Sequence, residues 1–145
     1  MPITRKIAGR TRYLLDTNIC IYTINSRPAE VIAEVRKRSA DEICISSVTI
    51  AELAYGIQKS HRQEASYQAL LEFLAPFEII DFASQDAMEF GRIRAFLEEK
   101  GSMIGAYDLQ IAAQALARKL VLVTNNTREF ARISELKLEN WVKTK

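Results

Sequence analysis

The feature that most limits how this chain can fold is its rhythm. Short β-branched and aliphatic runs at 13–15, 43–46, 77–81 and 120–124 are each separated by stretches with helical periodicity. Almost no hairpin signal lies between them. Antiparallel neighbours can be joined by a tight turn, whereas parallel strands need a crossover of about a dozen residues or more, usually a helix. The pattern therefore predicts a parallel α/β sandwich, with 138–141 as a candidate fifth strand. Helices are expected over about 18–25, 28–38, 48–59, 62–74, 84–100, 108–119 and 126–133. Ser47 is the expected cap of the third, Phe90, Ile93 and Leu97 share a face of the fifth, and Gly101 ends it.

At 145 residues the chain has room for one domain with a continuous core. Residues 1–11 read as a basic, mobile extension, with Arg5, Lys6 and Arg10 ahead of the domain at 12–145. That extension lacks the apolar segment of a secretory signal. No apolar run reaches the roughly 20 residues of a membrane helix, so a cytoplasmic location is the default expectation. Cys20 and Cys44 sit in apolar surroundings and read as buried thiols. With His61 the only histidine, a structural zinc site, which wants about four Cys or His ligands, is out of reach. The net charge of +2 points to no partner by itself. Basic residues do cluster, at 36–38, 59–62 and 118–119 among others, as on a solvated helix face or a surface that holds nucleic acid.

In an open parallel sheet, ligands bind beyond the carboxyl ends of the strands. Asp16 ends the first strand, and Glu52 lies on the first turns of the helix after the second. Asp108 opens the helix before the fourth, and Asn126 and Glu129 follow that strand. All can converge on one sheet edge. Asp16 and Asp108 also suit plain helix N-caps. Glu52 is harder to explain structurally: its helical neighbours Val48, Thr49, Tyr55 and Gly56 are uncharged, with no lysine or arginine a turn away. A carboxylate embedded there needs a partner, and a metal ion is the natural one. Gathered acids raise one another's pKa unless a cation intervenes. Hard cations such as Mg²⁺ and Mn²⁺ take oxygen ligands and serve phosphoryl chemistry. The assembled picture is a phosphodiester hydrolase.

Five segments carry a resemblance to a known family. Leu14-Leu15-Asp16-Thr17-Asn18-Ile19 resembles the opening strand of PIN domains, especially VapC toxins. Ile45 to Gly56 is similar to their second motif, with Glu52 inside E-L-x-x-G. Ile104 to Ala113 and Val123 to Phe130 resemble the third and fourth, and Leu138-Glu139-Asn140-Trp141 the ending. The resemblance implies a PIN-like three-layer sandwich, with a central parallel sheet of 4–5 strands and helices on both faces. It also implies direct Mg²⁺ ligation by Asp16 and Asp108 (Mn²⁺ as the alternative), with Glu52 binding metal or positioning its water. At the fourth position an aspartate is common, and here Asn126 stands there; Glu129 is the candidate to supply the missing acid. Thr17, Thr124 and Arg128 are candidate supporting or substrate contacts. The implied activity is that of a toxin endoribonuclease, cutting tRNA, initiator tRNA in its anticodon loop being the nearest parallel. The implied partners are a VapB-type antitoxin and a second copy of the chain in a homodimer, within a larger toxin–antitoxin assembly. The helices after Pro28 and Glu52 are candidate dimer surfaces.

Three other readings compete. A haloacid-dehalogenase-like phosphotransferase would use Asp16 as nucleophile, but such enzymes place a second aspartate where Asn18 stands. A PIN-like module that binds RNA or a partner without cutting is favoured by the neutral Asn126. A processing nuclease outside toxin–antitoxin systems is the third.

Overall fold

A computed structural model describes residues 11–142. Five parallel strands form one sheet: β1 (Tyr13–Leu15), β2 (Ile43–Ser46), β3 (Glu78–Ile80), β4 (Val121–Val123) and β5 (Leu138–Glu139), in the order β3-β2-β1-β4-β5. The register aligns Leu14 with Cys44 on one side and Leu122 on the other. All-parallel sheets are covered on both faces, and the helices supply that cover: α1 (Thr17–Ile24), α2 (Ala29–Arg36), α3 (Ser47–Gln58), α4 (Gln63–Leu74), α5 (Ser84–Lys100), α6 (Ala106–Ala117) and α7 (Thr127–Phe130).

Side chains alternate across a strand, and the core divides accordingly. Leu14, Cys44 and Leu122 point into a layer with Ile93 and Leu97 of α5, Leu109 and Ile111 of α6 and Phe130 of α7. Tyr13, Leu15, Ile43, Ile45 and Val123 face the opposite layer, with Ile19 and Cys20 of α1 and Val31 of α2. The three-layer sandwich read from the sequence is thus the fold. Both cysteines are free and buried, as expected. Among the described residues no helix is long and apolar enough to cross a membrane.

The sequence-based boundaries shift by one to three residues where caps decide them. Ser46, not Ser47, caps α3: its hydroxyl accepts from Val48 N at 2.9 Å, while that of Ser47 accepts from Phe82 N. Gly105 rather than Asp108 stands at the start of α6, so Asp108 lies one turn inside the helix and is not its N-cap. Gly101 ends α5 at φ 68°, the left-handed conformation that glycine adopts without steric cost. The basic extension lies outside the described residues except for Thr11, whose hydroxyl donates to Glu78 Oε1 at 2.7 Å. The ending Leu138 to Trp141 is structural. Trp141 is buried, meets Tyr13 edge-on at 5.5 Å, and lies 4.1 Å under the Arg38 guanidinium.

One ion pair anchors α6 to the start of α5. Asp86 is fully buried, accepts from Ala83 N at 2.7 Å, and meets Arg118 Nη2 at 2.9 Å and Nε at 3.2 Å. Removing one member of such a pair leaves a buried charge uncompensated. Arg118→Ala is therefore expected to lower stability by about 2–3 kcal/mol, below the roughly 3–5 of a wholly buried pair because the guanidinium still meets water. Urea unfolding monitored through Trp141 measures it; a change within about 0.5 kcal/mol would show that water compensates Asp86.

Candidate active site

β1 is the topological switch of the sheet: its sequence successor β2 lies on one side and β4 on the other. The crevice beyond the carboxyl ends of β1 and β4 is where this architecture places its ligand site. Asp16 follows β1 and Thr124 follows β4. The Thr124 hydroxyl donates to Asp16 Oδ2 at 2.5 Å across that crevice. Asp16 Oδ1 accepts from Ile19 N at 2.9 Å, so the residue does cap α1 while facing the crevice. The capping and the functional readings of Asp16 are compatible.

The remaining acids come from three helices. Glu52 lies on α3, where its Oε1 receives a hydrogen bond of 2.5 Å from the Thr17 hydroxyl. The Thr17 oxygen also lies 3.0 Å from that of the buried Thr49. The unpaired Glu52 expected from the sequence is therefore partnered: the Thr17 hydroxyl from α1 holds it, itself in contact with Thr49, where a lysine or arginine is missing. Asp108 is half-buried on α6. Glu129, on α7, accepts from the Asn126 amide at 2.9 Å, and Asn126 N donates to the Thr124 hydroxyl oxygen at 2.9 Å. Asn126 thus positions Glu129 and tethers it to the Thr124–Asp16 pair. Arg128 is exposed on α7 and belongs to none of these bonds.

The four carboxylates act on one another. Burial pushes the Asp16 carboxyl up from 3.8 to about 6; the Thr124 and Ile19 hydrogen bonds pull it down, while Asp108 and Glu52 raise it further. Asp108 is also raised, first by burial and then by Glu52 and Glu129. The donors are all oxygens, and their mutual repulsion is what a hard cation relieves. Among the described residues no group of three or more such side chains stands closed around one point.

One polar contact in the frame of the site was not singled out by the sequence. Gln114 is fully buried on α6, receives a hydrogen bond from the Ser46 hydroxyl, and donates to the Ile80 carbonyl at 3.5 Å. Ser46 caps the helix that carries Glu52, and Gln114 shares a helix with Asp108, so this contact joins the two acid-bearing helices. A glutamine among Ile111, Ala112, Ala113 and Ala115 is the signal that could have revealed it, since a buried amide needs partners.

A groove of about 570 Å³ adjoins the acids between α1, α3 and α4. Thr17 and Glu52 stand on its wall, Ile21, Leu53 and Ile57 line it, and Arg62 adds a charge.

This sheet order with acids at its carboxyl edge defines a PIN domain, and the chain belongs to that family, which matches residues 13–136. Among curated proteins it is 44% identical over 131 residues to Ribonuclease VapC2 of Haemophilus influenzae, covering 90% of this chain and 98% of the relative. It is 43% identical over 130 residues to the tRNA(fMet)-specific endonuclease VapC of Salmonella typhimurium, with the same coverage. Among solved structures it resembles VapBC2 from Rickettsia felis bound to a promoter DNA fragment, with TM-score 0.84, 43% identity, and 91% and 100% of the two chains covered. DNA-bound VapBC from Salmonella typhimurium gives TM-score 0.86 at 42% identity, over 91% and 99%. Within the PIN domains, then, it belongs with the VapC ribonuclease toxins.

The raised Asp16 has a thermodynamic consequence. Between pH 4 and 6 the folded chain keeps a proton on Asp16 that the unfolded chain has released, so stability falls as pH rises through this window. Above it the ionised, buried carboxylate is a net cost. In chelator at pH 7.5, Asp16→Asn is expected to be more stable than the parent by about 1–3 kcal/mol, and the gap should close near pH 4. Thermal melts at both pH values measure it; an Asp16→Asn variant no more stable at pH 7.5 would mean that the carboxylate is not strained.

Proposed function

We propose that this chain is a Mg²⁺-dependent endoribonuclease toxin, with Mn²⁺ as a substitute, that hydrolyses tRNA and is restrained by a VapB-type antitoxin. The observation that carries the chemistry is the set of four interacting carboxylates at the β1–β4 crevice, two of them raised by burial and by neighbouring acids. In this reading Asp16 and Asp108 hold the cation. When bound, it supplies acidification of water and neutralisation of charge on the phosphoryl oxygens. Glu52, held by Thr17, and Glu129, held by Asn126, orient the attacking water and accept its proton. The water oxygen bonds to phosphorus, one ester P–O bond breaks, and the departing oxygen takes a proton.

In this reading Glu129, held by the Asn126 amide, supplies the acid that Asn126 lacks, which weighs against a module that binds without cutting. Membership of the PIN family likewise displaces the phosphotransferase alternative. The Salmonella typhimurium relative's name makes initiator tRNA the first substrate to try. The apolar groove opening onto Glu52 offers an antitoxin segment a seat from which to cover the acids.

The test is to incubate the purified chain, free of antitoxin, with total tRNA in Mg²⁺, in Mn²⁺, in EDTA and as Asp108→Asn. Discrete fragments are expected in either metal and in neither control; intact tRNA throughout would overturn the reading. A second comparison separates the two residues of the fourth motif. Glu129→Gln is expected to slow cleavage by roughly 100-fold or more, in the range of a general acid–base group. Asn126→Ala, which only frees Glu129, should cost about 10-fold. The reverse ranking would assign the chemical role to Asn126.

A further inference from the structure

Helix α3 leaves the acids with two different sides. One lines the apolar groove through Leu53 and Ile57. The other carries Tyr55 and Lys59, three and seven residues after Glu52. At about 100° and 1.5 Å per residue, both lie within about 60° of Glu52 around the helix, roughly 4.5 and 10.5 Å farther along it. Tyr55 is 66% exposed, and Lys59 Nζ stands 5.0 Å from its ring centroid. Lys59 is itself exposed, while Arg62, exposed at the start of α4, lines the groove on the other side of the helix. Leading away from Glu52 there are thus an aromatic surface open to solvent and then a cation.

That sequence of chemistry fits one kind of occupant. Bases of a single strand stack on aromatic rings while cations follow the backbone. In a duplex the bases already stack on each other, and a ring on a convex helix cannot reach their faces. We propose that the Tyr55–Lys59 ridge is a track for single-stranded RNA: the base beside the cleaved phosphate stacks on Tyr55, and the next phosphate pairs with Lys59. The track directs unpaired loop segments into the acids and leaves paired stems outside. This inference rests on the ribonuclease reading and adds to it the residues that hold the strand beside the acids.

Binding is measured by fluorescence anisotropy with a labelled unstructured 12-nucleotide RNA and with a fully paired RNA duplex. The protein is Asp108→Asn, so that nothing is cut. Tyr55→Ala in that background is expected to weaken single-strand binding by at least about 5-fold and up to roughly 100-fold, the range of one stacked base, and to leave duplex binding unchanged. Tyr55→Phe should restore it. Lys59→Gln should lower the slope of log K against log salt by about 0.7, the value of one phosphate contact on a single strand. With Asp108 intact, Tyr55→Ala should raise KM and leave kcat within about twofold. Unchanged affinity and salt slope, or an equal loss on duplex, would overturn the track. So would a Tyr55→Ala variant that changes only its elution volume, since the ridge would then be a contact between copies of the chain. If the parent neither binds nor cuts any RNA, the ribonuclease reading itself fails; if it cuts RNA and the ridge variants behave like it, only the track does.

Discussion

The hydrogen bond from Thr124 to Asp16 joins the carboxyl ends of the two strands on either side of the switch point, and much of the site hangs from it. Asp16 uses its other oxygen to start α1, which carries Thr17, and Thr17 holds Glu52. Thr124 receives the amide of Asn126, whose side chain holds Glu129. Two residues at neighbouring strand ends thus reach helices from both layers of the sandwich. Parallel pairing makes this economical: every strand ends on the same edge, so short connections suffice to bring distant segments together.

The same gathering works against stability. Asp16 is only 4% exposed, and its carboxyl shifts to about 6 because burial and two nearby acids oppose its charge. A frame without function would place an amide or an apolar residue there. The cluster is held together by the rest of the fold, including the buried Asp86–Arg118 pair and the Ser46–Gln114 contact that fasten the acid-bearing helices. Strain of this kind, supported by a rigid scaffold, is common at functional sites. A bound cation would relieve it, which couples metal binding to stability.

Helix α3 sits between two functions. Its first turns bring Glu52 to the acids, one side faces the groove between α1 and α4, and another presents Tyr55 and Lys59 to solvent. If the groove seats an antitoxin segment and the ridge the RNA, inhibitor and substrate reach the same carboxylate by different sides of one helix. An antitoxin segment in the groove would cover Glu52 while leaving the ridge free, so occlusion of the acids, more than displacement of the RNA backbone, would then be the means of restraint.

The class of the fold was legible because strand and helix periodicities alternate without hairpin turns, and that alternation permits little except parallel pairing. Asp16, Glu52 and Asp108 were legible because each is an acid at a strand end or on an apolar helix face, where burying charge is costly and needs a reason. The order of the strands was not legible, since local sequence does not say that β4 returns beside β1. For the same reason the hydroxyl holding Glu52, the tether from Asn126 to Glu129 and the Ser46–Gln114 contact appeared only in three dimensions. Each links residues that are close in space and, apart from the Asn126–Glu129 pair, far apart in the chain. The sequence by itself determined which groups carry charge and which segments are strands. Tertiary structure alone decided which groups share a field, because electrostatic coupling depends on distance and burial rather than on order along the chain.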